Sequence, residues 1–93
     1  MSYSPAAIAR IQKTPKTLGN QLGRWAVAKD FSVQRIATLT GASRQSVYNW
    51  FYGRRDVFIA YRPYVEAIIK ILQSSATADE AWRKACKAFD LKT

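Results

Sequence analysis

The sequence predicts an all-α fold: one domain over residues 1–93, a small bundle of about five helices with short helical additions at both ends. Three observations predict it. Apolar residues recur at helical spacing in successive segments. Start signals precede them at Ser4-Pro5, Thr14-Pro15, Ser32, Ser43 and Thr77. No segment alternates with the two-residue period of a strand, and no repeat or low-complexity tract interrupts the pattern.

Taken in order, Ser4-Pro5 places a capping hydroxyl before a proline in the first turn and predicts a short helix over Ala6–Gln12. Thr14-Pro15 repeats that signal and predicts a longer helix to about Lys29, with Leu18, Leu22, Trp25 and Ala26 as its buried stripe. Gly19 and Gly23 weaken that helix, yet glycines four apart also let another helix approach closely. Ser32 caps a helix over Val33–Thr40, whose inward face is Val33, Ile36, Ala37 and Leu39. Gly41 suits the left-handed backbone that ends it. Ser43 caps the next helix, to about Tyr52, with Val47 and Trp50 inward and Gly53 as its stop.

The apolar run Val57–Tyr61 is too short to type and fits either an extended segment or an extra helical turn. Pro63 predicts a helix to about Gln73, with Val65, Ile68, Ile69 and Leu72 inward. Thr77 with Glu80 three residues on is a capping-box pattern before a last helix to about Phe89, on which Trp82, Ala85, Cys86 and Phe89 share a face.

Fifteen Lys and Arg against six Asp and Glu give a net charge of +9 and a pI near 10.1, a balance that points to a polyanionic partner. No acid lies between Asp30 and Asp56, while Arg35, Arg44, Arg54 and Arg55 fall in that window. The preceding segment adds Arg10, Lys13, Lys16, Arg24 and Lys29. The C-terminal third is nearly balanced, Lys70, Arg83, Lys84, Lys87 and Lys92 standing against Glu66, Asp79, Glu80 and Asp90.

One cysteine, Cys86, excludes an internal disulfide framework, and with no histidine it argues against a zinc site. Cys86 reads as a packing residue. Neither a signal peptide nor a membrane-spanning run is evident, so the sequence predicts a cytoplasmic, nucleoid-associated protein without cofactor, membrane contact or small-molecule ligand. Scattered acids, no histidine and no nucleotide-binding loop argue against an enzyme.

The most informative stretch is Val33–Gly53, two short helices joined by a turn at Gly41. Ala37 is small where two helices must cross tightly, and Gly41 turns the chain without a Cβ clash. Ile36, Val47 and Trp50 would lock the crossing. On Ala37, Gly41, Val47 and Trp50 the segment resembles the phage-repressor and Cro type of helix-turn-helix, a family of bacterial and phage DNA-binding domains. The helices predicted before and after it would complete that fold. Ser4–Lys13 and the helix after Thr77 are additions to which the resemblance assigns no role.

The resemblance implies a sequence-specific regulator of transcription, a repressor of phage or bacterial type, that puts the N-terminal end of the second helix into the major groove of double-stranded DNA. Ser43, Arg44, Gln45, Tyr48 and Asn49 would then read bases: Arg grips guanine and Gln or Asn grips adenine bidentately, and Tyr48 packs on a thymine methyl or bonds a phosphate. Ser32 and Gln34, with the amides at that helix start, would hold a backbone phosphate, and Arg54 and Arg55 would follow the phosphates beyond the second helix. Arg35 is either a further phosphate ligand or an ordinary solvated side chain.

Val47 and Trp50 are expected in the core, away from DNA. One recognition helix reads few base pairs, so a homodimer on a pseudo-palindrome is expected, built on the 57–61 run or on the Trp82/Phe89 helix. The alternatives are an architectural or assembly DNA-binding protein and a protein-interaction module on the same fold. A stacking platform of Tyr48, Phe51, Tyr52, Phe58 and Tyr61 for single strands is the less favoured nucleic-acid reading, because Phe51 and Phe58 suit core or a dimer contact better.

Overall fold

Ser4, Thr17, Ser32, Ser43 and Thr77 each turn a side-chain oxygen onto the amide three residues ahead, and each starts a helix. The computed structural model describes residues 2–91. Its helices are α1 (Pro5–Lys13), α2 (Leu18–Ala28), α3 (Val33–Thr40), α4 (Arg44–Phe51), α5 (Arg62–Gln73) and α6 (Ala78–Ala88), with no strand among the described residues. The all-α prediction holds, and the six helices of the described residues include the short additions expected at both ends. Lys92, counted in the C-terminal charge balance, lies outside the described residues. No described helix is long and apolar enough to cross a membrane.

Helix ends follow the same local logic. Gly41 adopts φ 78°, and its amide returns to the Ala37 carbonyl. Beyond α2, Asp30 takes φ 55°, its amide bonds the Val27 carbonyl, and the Phe31 amide bonds the Ala26 carbonyl at 2.7 Å. That is a Schellman ending with aspartate where glycine is usual, and Phe31 is carried into the core. Asp90 and Leu91 repeat it after α6, and Gly53 and Arg54 after α4.

One boundary departs from the sequence reading. Thr14-Pro15 does not open α2; Thr14 closes α1, its hydroxyl donating to the Arg10 carbonyl at 2.8 Å. Thr17 caps α2 instead. The two signals lie three residues apart, and Thr14 cannot both close one helix and open the next.

α2 runs through the centre, against α4 and α5, with α1 beside it, while α3 packs on α4, α5 and α6. Leu22, Phe31, Ile36, Val47, Phe51, Val65 and Leu72 fill the space between them and are fully buried. The expected close approach at Gly19 and Gly23 is present. A Cβ on Gly19 would lie 2.6 Å from the Trp50 Cβ, and one on Gly23 would lie 2.8 Å from the Phe51 ring.

Asn20, wholly buried between them, donates through Nδ2 to the carbonyls of Ile11 (2.9 Å) and Phe51 (2.8 Å). Its Oδ1 accepts from Arg24 Nε at 2.7 Å. One amide thus bolts the C-terminal ends of α1 and α4 to α2: it satisfies the Phe51 carbonyl, which the end of α4 leaves bare, and adds a second donor to the Ile11 carbonyl beside the Thr14 amide.

Both terminal additions belong to the core. Tyr3 is buried against Phe51, its hydroxyl donates to the Phe31 carbonyl, and burial pushes its ionisation far above the usual phenol range. Ile11 is buried as well. On α6, Ala81, Ala85 and Cys86 are buried, and Trp82 tilts against Phe31 with ring centroids 6.3 Å apart. The apolar face of α6 is therefore largely used within the chain, which removes most of what would make it a dimer surface. The 57–61 run is neither strand nor helix: Val57 is buried, and a turn closed by Tyr61 N–H to the Phe58 carbonyl leads into α5. Phe58 and Ile59 are left 67% and 74% exposed.

Candidate nucleic-acid interface

α3 and α4 are joined by residues 41–43, which makes the expected helix–turn–helix pair. Thr40 is buried at the turn, where its hydroxyl donates to the Ile36 carbonyl and accepts from the Ala42 amide. Val47, Trp50 and Phe51 bury one side of α4. Gln45, Asn49 and Tyr52, spaced at i, i+4 and i+7, lie on the opposite side.

Ser43 and Arg44 are exposed at the start of α4. The Ser43 side chain caps the Ser46 amide at 3.0 Å and donates to the Ser46 hydroxyl, so its first duty is to the helix. The Arg44 side chain makes no hydrogen bond to any described residue. Gln45 Nε2 donates to Asn49 Oδ1 at 3.2 Å, which leaves the Gln45 oxygen and the Asn49 amide hydrogens directed to solvent. Tyr48 is not freely exposed: it is half-buried, edge-on to Phe51 and stacked on Tyr52 at 5.8 Å.

The positions expected to meet phosphates divide sharply. Arg54 and Arg55 are exposed, and both of their amides bond the Asn49 carbonyl, so the end of α4 fixes where they stand. Gln34 is exposed and donates to Thr38 at 3.4 Å. Ser32 caps the Arg35 amide. Arg35 is turned to α6, where it pairs with Asp79 at 3.2 Å, donates to the Ala78 carbonyl and lies 5.2 Å from the Trp82 ring. Asp30 lines the same cleft as Ser32, Arg35 and Asp79. A phosphate there would meet two carboxylates, so the geometry gives Arg35 a structural role and disfavours Ser32 as an anion site.

The basic segment before α3 divides in the same way. Arg24 is spent on Asn20, Gln12 and Thr14. Arg10 instead lies 4.2 Å above the Tyr52 ring, across a cleft of about 510 Å³ that Gln45, Tyr48 and Arg54 also line. The sequence reading gives Tyr52 a role only in the less favoured stacking platform and does not join it to Gln45 and Asn49, although its i+7 spacing from Gln45 is available. The neighbouring cleft, about 710 Å³, lies on the other flank of α4 between Trp50 and the exposed Phe58 and Ile59.

No group of His, Cys, Asp and Glu among the described residues is arranged to hold a metal ion. No family model, curated protein or solved structure matches this chain.

Proposed function

We propose that this protein is a sequence-specific double-stranded DNA-binding regulator of transcription, a repressor of the phage or bacterial helix-turn-helix type. The observation that carries the reading is the outer side of α4. Arg44, Gln45 and Asn49 stand on a short helix whose start is exposed, with no carboxylate bonded to any of them. Arginine and carboxamide side chains are the groups that distinguish guanine and adenine edges in the major groove. Arg54 and Arg55, whose amides are tied to the end of α4, would meet the flanking phosphates.

A homodimer completes the reading. Phe58 and Ile59 are large, apolar and exposed beside α4, so a second copy seated there would bury them and set two α4 helices side by side. Successive major grooves on one face of DNA lie about 34 Å apart, which sets the spacing such a pair must span.

Selection of bound sites from random duplex DNA tests the function. The expected result is a discrete motif with two-fold symmetry, and failure to enrich any motif contradicts a sequence-specific regulator. Phe58→Asp tests the dimer, with a shift to monomer expected in sedimentation.

A further inference from the structure

Most of the arginines that touch other parts of the chain donate hydrogen bonds within it. Arg24 bonds Asn20 and two carbonyls, Arg35 bonds Asp79 and the Ala78 carbonyl, and Arg62 bonds the Val57 carbonyl. Arg10 and Arg54 differ. Their guanidiniums lie 4.2 Å and 5.7 Å from the centroid of one ring, Tyr52, and neither donates a hydrogen bond to a described residue. The cleft they line contains no carboxylate.

Two cations held at one ring and lining one cleft repel each other unless an anion joins them. Each guanidinium offers a planar fork of donors that matches phosphate oxygens. Their setting is rigid. Tyr52 is stacked on Tyr48, the Arg54 amide is tied to Asn49, and α1 is held by the Asn20 bond to Ile11 and the Tyr3 bond to Phe31. Gln45 opens onto the same cleft, so an anion bound there would lie beside the side chains proposed to read bases.

We propose that Arg10 and Arg54, mounted on the Tyr52 ring, clamp one phosphodiester of duplex DNA at the edge of the groove that α4 enters. α1, which lies outside the helix–turn–helix, thereby becomes part of the DNA-binding surface and sets the register of α4 on the duplex. This inference rests on the DNA-binding reading above.

The test is duplex affinity as a function of salt for the full chain, with Arg10→Ala, Arg54→Ala, the double variant, Arg10→Lys and, as control, Arg35→Ala. Arg10→Ala is expected to weaken binding about tenfold for all sequences and to reduce the salt slope by about one, with the selected motif unchanged. Arg10→Lys keeps the charge without the fork and is expected to lose less. The double variant is expected to lose clearly less than the product of the two single losses, because both arginines grip one phosphate. Arg35→Ala is expected to match wild type. Salt-sensitive binding by wild type that Arg10→Ala leaves unchanged overturns the clamp alone, as do losses at Arg10 and Arg54 that simply multiply. No salt-sensitive duplex binding by wild type overturns the DNA-binding reading and the clamp with it.

Discussion

Arg10 and Arg35 occupy matching local settings with opposite outcomes. Each lies over an aromatic ring, Tyr52 at 4.2 Å and Trp82 at 5.2 Å, and each joins a helix to a neighbour. Arg35 meets Asp79 and a carbonyl, and its charge is answered inside the chain. Arg10 shares its ring and its cleft with Arg54, and no acid lines that cleft. The same side chain on the same kind of platform is thus a brace in one place and an unanswered charge in the other. The net charge of +9 says nothing of this division. The difference is local: Asp30 and Asp79 line the cleft that Arg35 enters, and no carboxylate lines the cleft of Arg10 and Arg54.

The strongest way to break this contrast is to release the framework that holds the α1/α4 side. Asn20→Leu keeps the bulk but strips two donors, leaving the Phe51 carbonyl buried and bare and the Ile11 carbonyl with the Thr14 amide alone. The expected cost is about 3 kcal/mol, a fall of about 15 °C in Tm by thermal unfolding. Next is Arg44→Ala, expected to cost about 2 kcal/mol of duplex binding at unchanged Tm and to relax preference at one base position. Arg35→Ala should do the reverse. Loss of its ring contact is expected to lower stability by about 1 kcal/mol while duplex affinity stays at the wild-type value; its exposed pairing with Asp79 adds little.

The smallest effect concerns the start of α6. The Ala76 amide bonded to the Glu80 carboxylate, chiefly, holds its ionisation below the ordinary 4.5. The charged form is favoured in the fold, so this contribution is complete above pH 4.5 and is lost as pH falls through the lower folded value. Amide exchange in the first turn of α6 is expected to quicken below that point, with the α1/α4 side unaffected.

Much of the frame was legible because its signals are local. A hydroxyl at Ser4, Ser32, Ser43 or Thr77 needs only the amide three residues ahead, and Gly41 needs only its own backbone. Thr14 misled because its hydroxyl bonds backwards to Arg10, while Thr17 carries the start. The stops at Asp30 and Asp90 were visible only as aspartate before an apolar residue, a weak form of an ending that glycine usually marks.

The division of the charges was not legible. Arg35 meets Asp79 forty-four positions away, and Arg10 meets Tyr52 forty-two positions away. Both depend on where α1 and α6 dock, and the helix–turn–helix pattern assigns neither helix a place. Phe58 illustrates the same limit: a short apolar run has too little periodicity to say which side faces inward, and here Val57 is buried while its two successors are not.

The central claim is that duplex DNA binds the α1/α4 side and leaves the α3/α6 side alone. Nuclear magnetic resonance titration of isotope-labelled protein with duplex DNA tests it most directly. The account predicts shifts at Arg44, Gln45, Asn49, Tyr52 and the Arg10 and Arg54 side chains, with Arg35, Asp79 and the Trp82 indole unmoved. Shifts centred on Arg35 and Trp82, with the outer side of α4 silent, would contradict it.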